Sequence, residues 1–144
     1  MSLESGLYII RNIDKAVGRK QAEDRSLLPK RVVVLPPSVE DPKWEIQKED
    51  SNRYILKVQG APTANIDRLV FALLQDEESA EKWRIEAVPQ HGENRYIITT
   101  QDQNEGWVAP EETDDQVKCQ PLVATKSLPP QYLPTEVFEI VRAE

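Results

Sequence analysis

Apolar and polar positions alternate along this chain in short runs, and the runs repeat. "GLYIIRN" (6–12), "NRYILKV" (52–58) and "NRYIITT" (94–100) share one pattern, with tyrosines at Tyr8, Tyr54 and Tyr96. A second pattern recurs in "KWEIQKE" (43–49), "KWRIEAV" (82–88) and "VFEIVRA" (137–143), headed by Trp44, Trp83 and Phe138. Another apolar run lies in each interval: "RVVVLP" (31–36), "RLVFALL" (68–74) and "PLVATK" (121–126). So does a shorter one: "KAVGRK" (15–20), "GAPTANI" (60–66) and "GWVAP" (106–110). Runs this short, rich in β-branched and aromatic residues, predict strands. Turn residues separate them in "PPSVEDP" (36–42), "EDSN" (49–52), "QHGEN" (90–94) and "QDQNE" (101–105). "RLVFALLQDEESAEKW" (68–83) is long enough for a helix. Its place in the repeat predicts instead a strand, then a polar loop with one helical turn.

The chain therefore reads as three units of four strands, at about 6–49, 52–88 and 94–143. Six strands closed into a barrel and six paired into capping hairpins make a β-trefoil, an all-β fold in one domain. Closure removes most of the strand edges that would otherwise template aggregation. A β-sandwich with chance similarity between strands is the alternative. Trp44, Trp83 and Phe138, with Ile46, Ile85 and Ile140, are expected to point inward as one layer. Leu7, Ile9, Ile55 and Ile97 are expected to supply the layers beside it. Trp107 falls outside this pattern, which leaves an exposed position open to it.

With 144 residues, the chain is long enough to bury a core without staples. Eleven prolines against five glycines suit ordered, braced loops. The net charge is −7, and it is uneven. Residues 1–35 carry seven basic and four acidic side chains, a net of +3, so the remainder carries −10. An acidic chain is a poor binder of nucleic acid or of a membrane surface, because phosphate affinity needs clustered positive charge. Cys119 is the only cysteine, which excludes a disulfide scaffold. No run reaches transmembrane length, and "MSLESGLYII" lacks the pattern of a signal peptide. These features lead us to expect a cytoplasmic monomer, with unconventional release as the other route.

Catalysis finds little support. His91 is the only histidine, and a Cys119–His91 dyad is the one conceivable nucleophile and base. The carboxylates near Cys119 work against a thiolate. The acidic stretches Asp76–Glu78 and Asp114–Asp115 lack the spacing and glycine of a calcium loop. One cysteine and one histidine do not make a structural zinc site. "GAPTAN" has no lysine partner for a phosphate loop. No cofactor, no metal and no enzymatic activity are expected. Lectin-like trefoils commonly carry Gln-x-Trp in each repeat, and here the triplets are "PKW", "EKW" and "EVF". An exposed Trp107 would keep glycan binding open as an alternative.

The connection between the second and third strands of unit one, residues 19–30, departs from its siblings in length and charge. It contains "AEDRSLLP", with Arg25, then Ser26, Leu27, Leu28 and Pro29. A trypsin-like protease takes a basic side chain into an Asp-floored pocket, with its serine facing the following carbonyl. An extended loop held in that shape binds at little entropic cost. Glu23 and Asp24 are placed to pair with Arg19 or Arg31 and hold it. The alternative is a solvated polar loop.

The combination of "GLYIIRN", "VGR", "EDRSLLPKRVVVLP", "GAPTA", "LVFALL", "KWRI", "GWVAP" and "FEIVRAE" resembles the mushroom serine protease inhibitors of the cospin, or mycospin, group. The resemblance spans essentially the whole chain. It implies a β-trefoil that inhibits trypsin through the loop between the second and third strands, with an arginine in the specificity pocket (the P1 residue). Arg25 then matches P1 and Ser26 matches P1′, with Glu23, Asp24 and Leu27 flanking. Lys20 is the second choice for P1. The related clitocypins and macrocypins are cysteine protease inhibitors that block papain-like enzymes through other loops, and some block asparaginyl endopeptidase (legumain) with an asparagine-bearing loop. Asn65 in "GAPTANID" sits in a comparable connection, which makes legumain inhibition a further alternative.

Overall fold

The computed structural model describes residues 3–20 and 23–143. Twelve strands form among them. In chain order they are β1 (Gly6–Asn12), β2 (Lys15–Arg19), β3 (Lys30–Val34), β4 (Trp44–Asp50), β5 (Arg53–Val58), β6 (Ala61–Ile66), β7 (Leu69–Ala72), β8 (Arg84–Ala87), β9 (Arg95–Thr99), β10 (Gly106–Val108), β11 (Lys118–Gln120) and β12 (Phe138–Arg142).

The pairing is that of a β-trefoil. β1 pairs with both β4 and β12, β4 with β5, β8 with β9, and β9 with β12. A Tyr54–Trp83 bridge joins β5 to β8 and completes a six-stranded ring. The hairpins β2–β3, β6–β7 and β10–β11 form the cap. They are tied together by β3–β7, β7–β11 and a Val33–Gln116 bridge. Two-residue turns with positive φ at both positions lead into the cap at Ile13–Asp14 and Gln59–Gly60, and a third, Asp67–Arg68, closes the β6–β7 hairpin. This turn geometry matches the right-handed twist of the strands it joins.

Trp44, Trp83, Phe138, Ile46, Ile85 and Ile140 all point inward and are at most 4 % exposed. The flanking layer differs from expectation. In β1 and β5 the inward residues are Tyr8, Ile10, Tyr54 and Leu56, which turns Leu7, Ile9 and Ile55 to the other face. Leu7 is 47 % exposed. The cause is register: Tyr8 lies opposite Trp44 in the ladder and must share its face. Ile97 is buried, in a separate cluster with Val88 and Val137.

Two further expectations fail. "PLVATK" (121–126) is not a strand; unit three uses Lys118–Gln120, which aligns Cys119 with Trp107. Trp107 itself is fully buried. Its ring meets Trp44, Trp83 and Phe138 at centroid distances of 5.8, 5.5 and 5.9 Å, the last two edge-to-face. Trp44 Nε1 donates to the Val17 carbonyl (2.7 Å), and Trp83 Nε1 donates to Thr63 Oγ1 (2.9 Å), tying barrel to cap. Phe138 has no such donor; its ring packs edge-to-face against Trp107, whose Nε1 has no acceptor among the described residues. The polar stretch after β7 forms a single 3₁₀ turn, Glu77–Ser79.

Candidate functional site

The β2–β3 connection leaves the cap at Arg19 and returns at Lys30. Within it, Gln21 and Ala22 lie outside the described residues. Its two ends are anchored differently. At the outgoing end, Arg19 donates to both Glu23 oxygens, at 2.6 and 3.0 Å, in a forked ion pair. One residue earlier, Gly18 lies against Pro42, and a Cβ there would come within 2.5 Å of Pro42 Cγ.

At the returning end, Lys30 is buried to 5 % exposure, and its ammonium turns back into the loop. It donates to the Asp24 carboxylate, to the Asp24 carbonyl (3.2 Å) and to Ser26 Oγ (3.3 Å). Asp24 Oδ1 also accepts from the Ser26 amide (3.0 Å) and hydroxyl (2.6 Å), and Leu28 N–H donates to Ser26 Oγ (3.3 Å). The residues on either side of Arg25 are thus bonded to each other across it. Arg25 is exposed and makes no hydrogen bond or ion pair with another described residue. Leu27 and Leu28 beside it are 57 % and 67 % exposed. No residue from 23 to 30 has a positive φ. The expected Glu23–Arg19 pair forms. Asp24 pairs with Lys30 rather than Arg31, because Arg31 reaches away to Gln116 Oε1 and the Asp114 carbonyl (both 3.3 Å). Lys30 carried no signal in the sequence beyond its place at the start of a strand.

These bonds hold the Asp24 carboxyl down at about 2, the Lys30 ammonium first and the Ser26 hydroxyl and amide next. A carboxyl depressed in the folded chain stabilises it above the ordinary value of 3.8, and that contribution is lost as pH falls through about 2. Lys30→Met should return the Asp24 titration toward 3.8, read by carboxyl-carbon NMR. An unmoved midpoint would show that Lys30 does not hold this carboxylate.

A protein-family model for peptidase inhibitor I66 matches residues 1–142. The chain belongs to that family. I66 is a family of peptidase inhibitors rather than of enzymes. A Lentinula edodes protein named "Serine protease inhibitor" is 46% identical to this I66 chain over 143 residues, covering 99% of it and 100% of the relative. A solved proteinase inhibitor from Coprinopsis cinerea superposes with a TM-score of 0.87 at 38% identity, covering 99% of this chain and 100% of that one. The designed threefold-symmetric ThreeFoil, at 13% identity, a TM-score of 0.68 and coverage of 96% and 99%, shares the fold.

The remaining candidates are not assembled into a site in this I66 chain. Cys119 is fully buried in the core, and its thiol is pushed up to about 12 by burial first and by Glu105, Glu81 and Asp102 next. His91 Nε2 accepts the Tyr132 amide (3.0 Å). Cys119 should therefore stay silent to a thiol reagent such as DTNB at pH 8 until the chain unfolds; labelling of the native chain at a free thiol's rate would contradict its burial. A thiol raised this way stabilises the fold below its ordinary 9.0, and the contribution is lost as pH rises toward 12. Asn65 is not on a loop. It sits within β6 opposite Val70, and its Nδ2 donates to Glu105 Oε1 (3.0 Å). Lys20 is half-buried where β2 ends. The burial of Trp107 removes the exposed aromatic that kept glycan binding open.

Proposed function

We propose that this chain inhibits trypsin-like serine proteases reversibly and in the manner of a substrate, through residues 19–30, with Arg25 as P1 and Ser26 as P1′. Membership of the I66 family and the named serine protease inhibitor of Lentinula edodes support protease inhibition. One observation supports the residue: Arg25 projects free while Asp24 and Ser26 are bonded across it. A protease receives a loose cationic side chain on a backbone that is already ordered, so little entropy is lost on binding. The exposed Leu27 and Leu28 offer apolar contact on the leaving side.

The same bonds bear on turnover. Cleavage between Arg25 and Ser26 adds one water across the peptide bond. It creates a carboxylate on Arg25 and an α-ammonium on Ser26, beside the Asp24 carboxylate that held the Ser26 amide. The new terminus stays in place, so the bond can re-form before the fragments part. The chain is taken to act as a monomer. Titration of trypsin with wild type, Arg25→Ala and Lys20→Ala tests the reading: Arg25→Ala must lose inhibition and Lys20→Ala must keep it.

A further inference from the structure

The groups that reach across Arg25 differ in what hydrolysis would do to them. The Ser26 amide and hydroxyl both donate to Asp24 Oδ1. That amide belongs to the Arg25–Ser26 bond, so a cut there turns it into an amine. The Lys30 ammonium is different. It stands in β3, downstream of the cut, and it holds Asp24, upstream of the cut, through the carboxylate and the backbone carbonyl (3.2 Å). Cleavage alters neither partner of this tie.

The two ends of the tie are unequal. The Asp24 side chain is 72 % exposed, while that of Lys30 is 6 % exposed. Lys30 is fixed opposite Ala72 in the β3–β7 ladder, so Lys30 is the anchor and Asp24 is the group held. A buried ammonium must find acceptors. All three of its hydrogen bonds go to Asp24 and Ser26, the residues on either side of Arg25. The rest of the upstream piece is secured elsewhere. β1 and β2 stay in the fold through β4, β12 and β3, and Arg19 grips Glu23.

Charge adds to position. Alone, the Asp24 carboxylate would favour the new Ser26 amine as an ammonium, which has no lone pair with which to attack. The Lys30 ammonium already on Oδ1 opposes a second cation there. The neutral amine can then attack the ester that joins the Arg25 carbonyl to the protease serine. A C–N bond forms and the ester C–O bond breaks. The proton leaving the amine passes through the protease histidine to the serine oxygen.

We infer that Lys30 is a positioning residue for inhibition: it ties Asp24 to Ser26 across the reactive bond, keeps the cut ends together, and so separates this loop from an ordinary substrate. The inference rests on the Arg25 reading and adds what makes that bond resist turnover.

The test incubates full-length wild type, Lys30→Met, Lys30→Arg, Asp24→Ala and Arg25→Ala with catalytic amounts of trypsin. Enzyme activity is followed over time, and the cut is located by mass spectrometry. Lys30→Met and Asp24→Ala should inhibit only temporarily. Their Arg25–Ser26 bond should be cut at least about tenfold faster than in wild type, the effect of losing one charged hydrogen bond. The equilibrium ratio of cut to intact chain, approached from both sides, should rise with it. Lys30→Arg, which keeps the cation, should recover part of the resistance. A merely structural role would lower the melting temperature and leave that ratio unmoved. If Lys30→Met does not fold, Asp24→Ala, a change at an exposed side chain, decides. If the folded variants resist cleavage as long as wild type does, the inference is overturned, and the Arg25 reading stands provided Arg25→Ala has lost inhibition. If Arg25→Ala inhibits like wild type, the Arg25 reading falls and takes this inference with it.

Discussion

Arg25→Ala and Arg25→Glu should each lose trypsin affinity by orders of magnitude, while their melting temperatures stay at the wild-type value. The first half follows from where binding energy concentrates. A P1 side chain is a central, fully desolvated anchor, and truncating such anchors costs about 2–8 kcal/mol. Each 1.4 kcal/mol is about tenfold in affinity, so even the low end is more than an order of magnitude. The glutamate adds repulsion from the pocket's own carboxylate. The second half follows from geometry. Arg25 is exposed and forms no hydrogen bond or ion pair with a described residue, so its removal leaves the fold as it was. Arg25→Lys should fall between, because an Asp-floored pocket accepts both cations. If the alanine and glutamate variants inhibit as strongly as wild type, Arg25 is not the P1 residue.

Trp107→Ala is expected to cost the fold about 3–5 kcal/mol, the range for removing a large aromatic from a core. That is a large share of the roughly 5–15 kcal/mol by which a domain is stable. The ring packs against Trp44, Trp83 and Phe138, and two of those contacts are edge-to-face, so three supports loosen together. Trp107→Phe should lose much less. It keeps an aromatic in the site and removes an indole N–H that has no acceptor among the described residues. Urea unfolding followed by circular dichroism decides between them. A loss under about 1 kcal/mol for the alanine variant would mean the cluster is not the keystone its geometry describes.

The strands were legible where a run was short, apolar and bounded by turns, and the aromatic heads announced the inward face of β4, β8 and β12. Facing was not legible in β1, because Leu7, Tyr8, Ile9 and Ile10 are all apolar and carry no period of two. Pairing with β4 decides it, and pairing is not local information. β11 was hidden for a similar reason. "KCQ" is short and mostly polar, and it becomes a strand because β10 and β7 lie beside it. "PLVATK" looked better, but it starts with a proline that cannot donate to a ladder and leads into the connection between β11 and β12 instead. At the candidate site, Arg25 and its neighbours could be named from the sequence. The brace could not: Lys30 is one lysine among several until β3 turns it inward toward Asp24.

The seam of the barrel joins Tyr8 to Arg142, the two ends of the described fold. During synthesis, Arg25 leaves the ribosome early, while β7, Gln116 and β12, which fix β3 and close the ring, emerge much later. Pairings so distant along the chain are also slow to form. Through that interval the Arg25–Ser26 bond is carried on an unfinished scaffold, as open to a protease as any flexible peptide. Inhibitor and substrate are then the same sequence at different ages, divided by the moment the last strand docks.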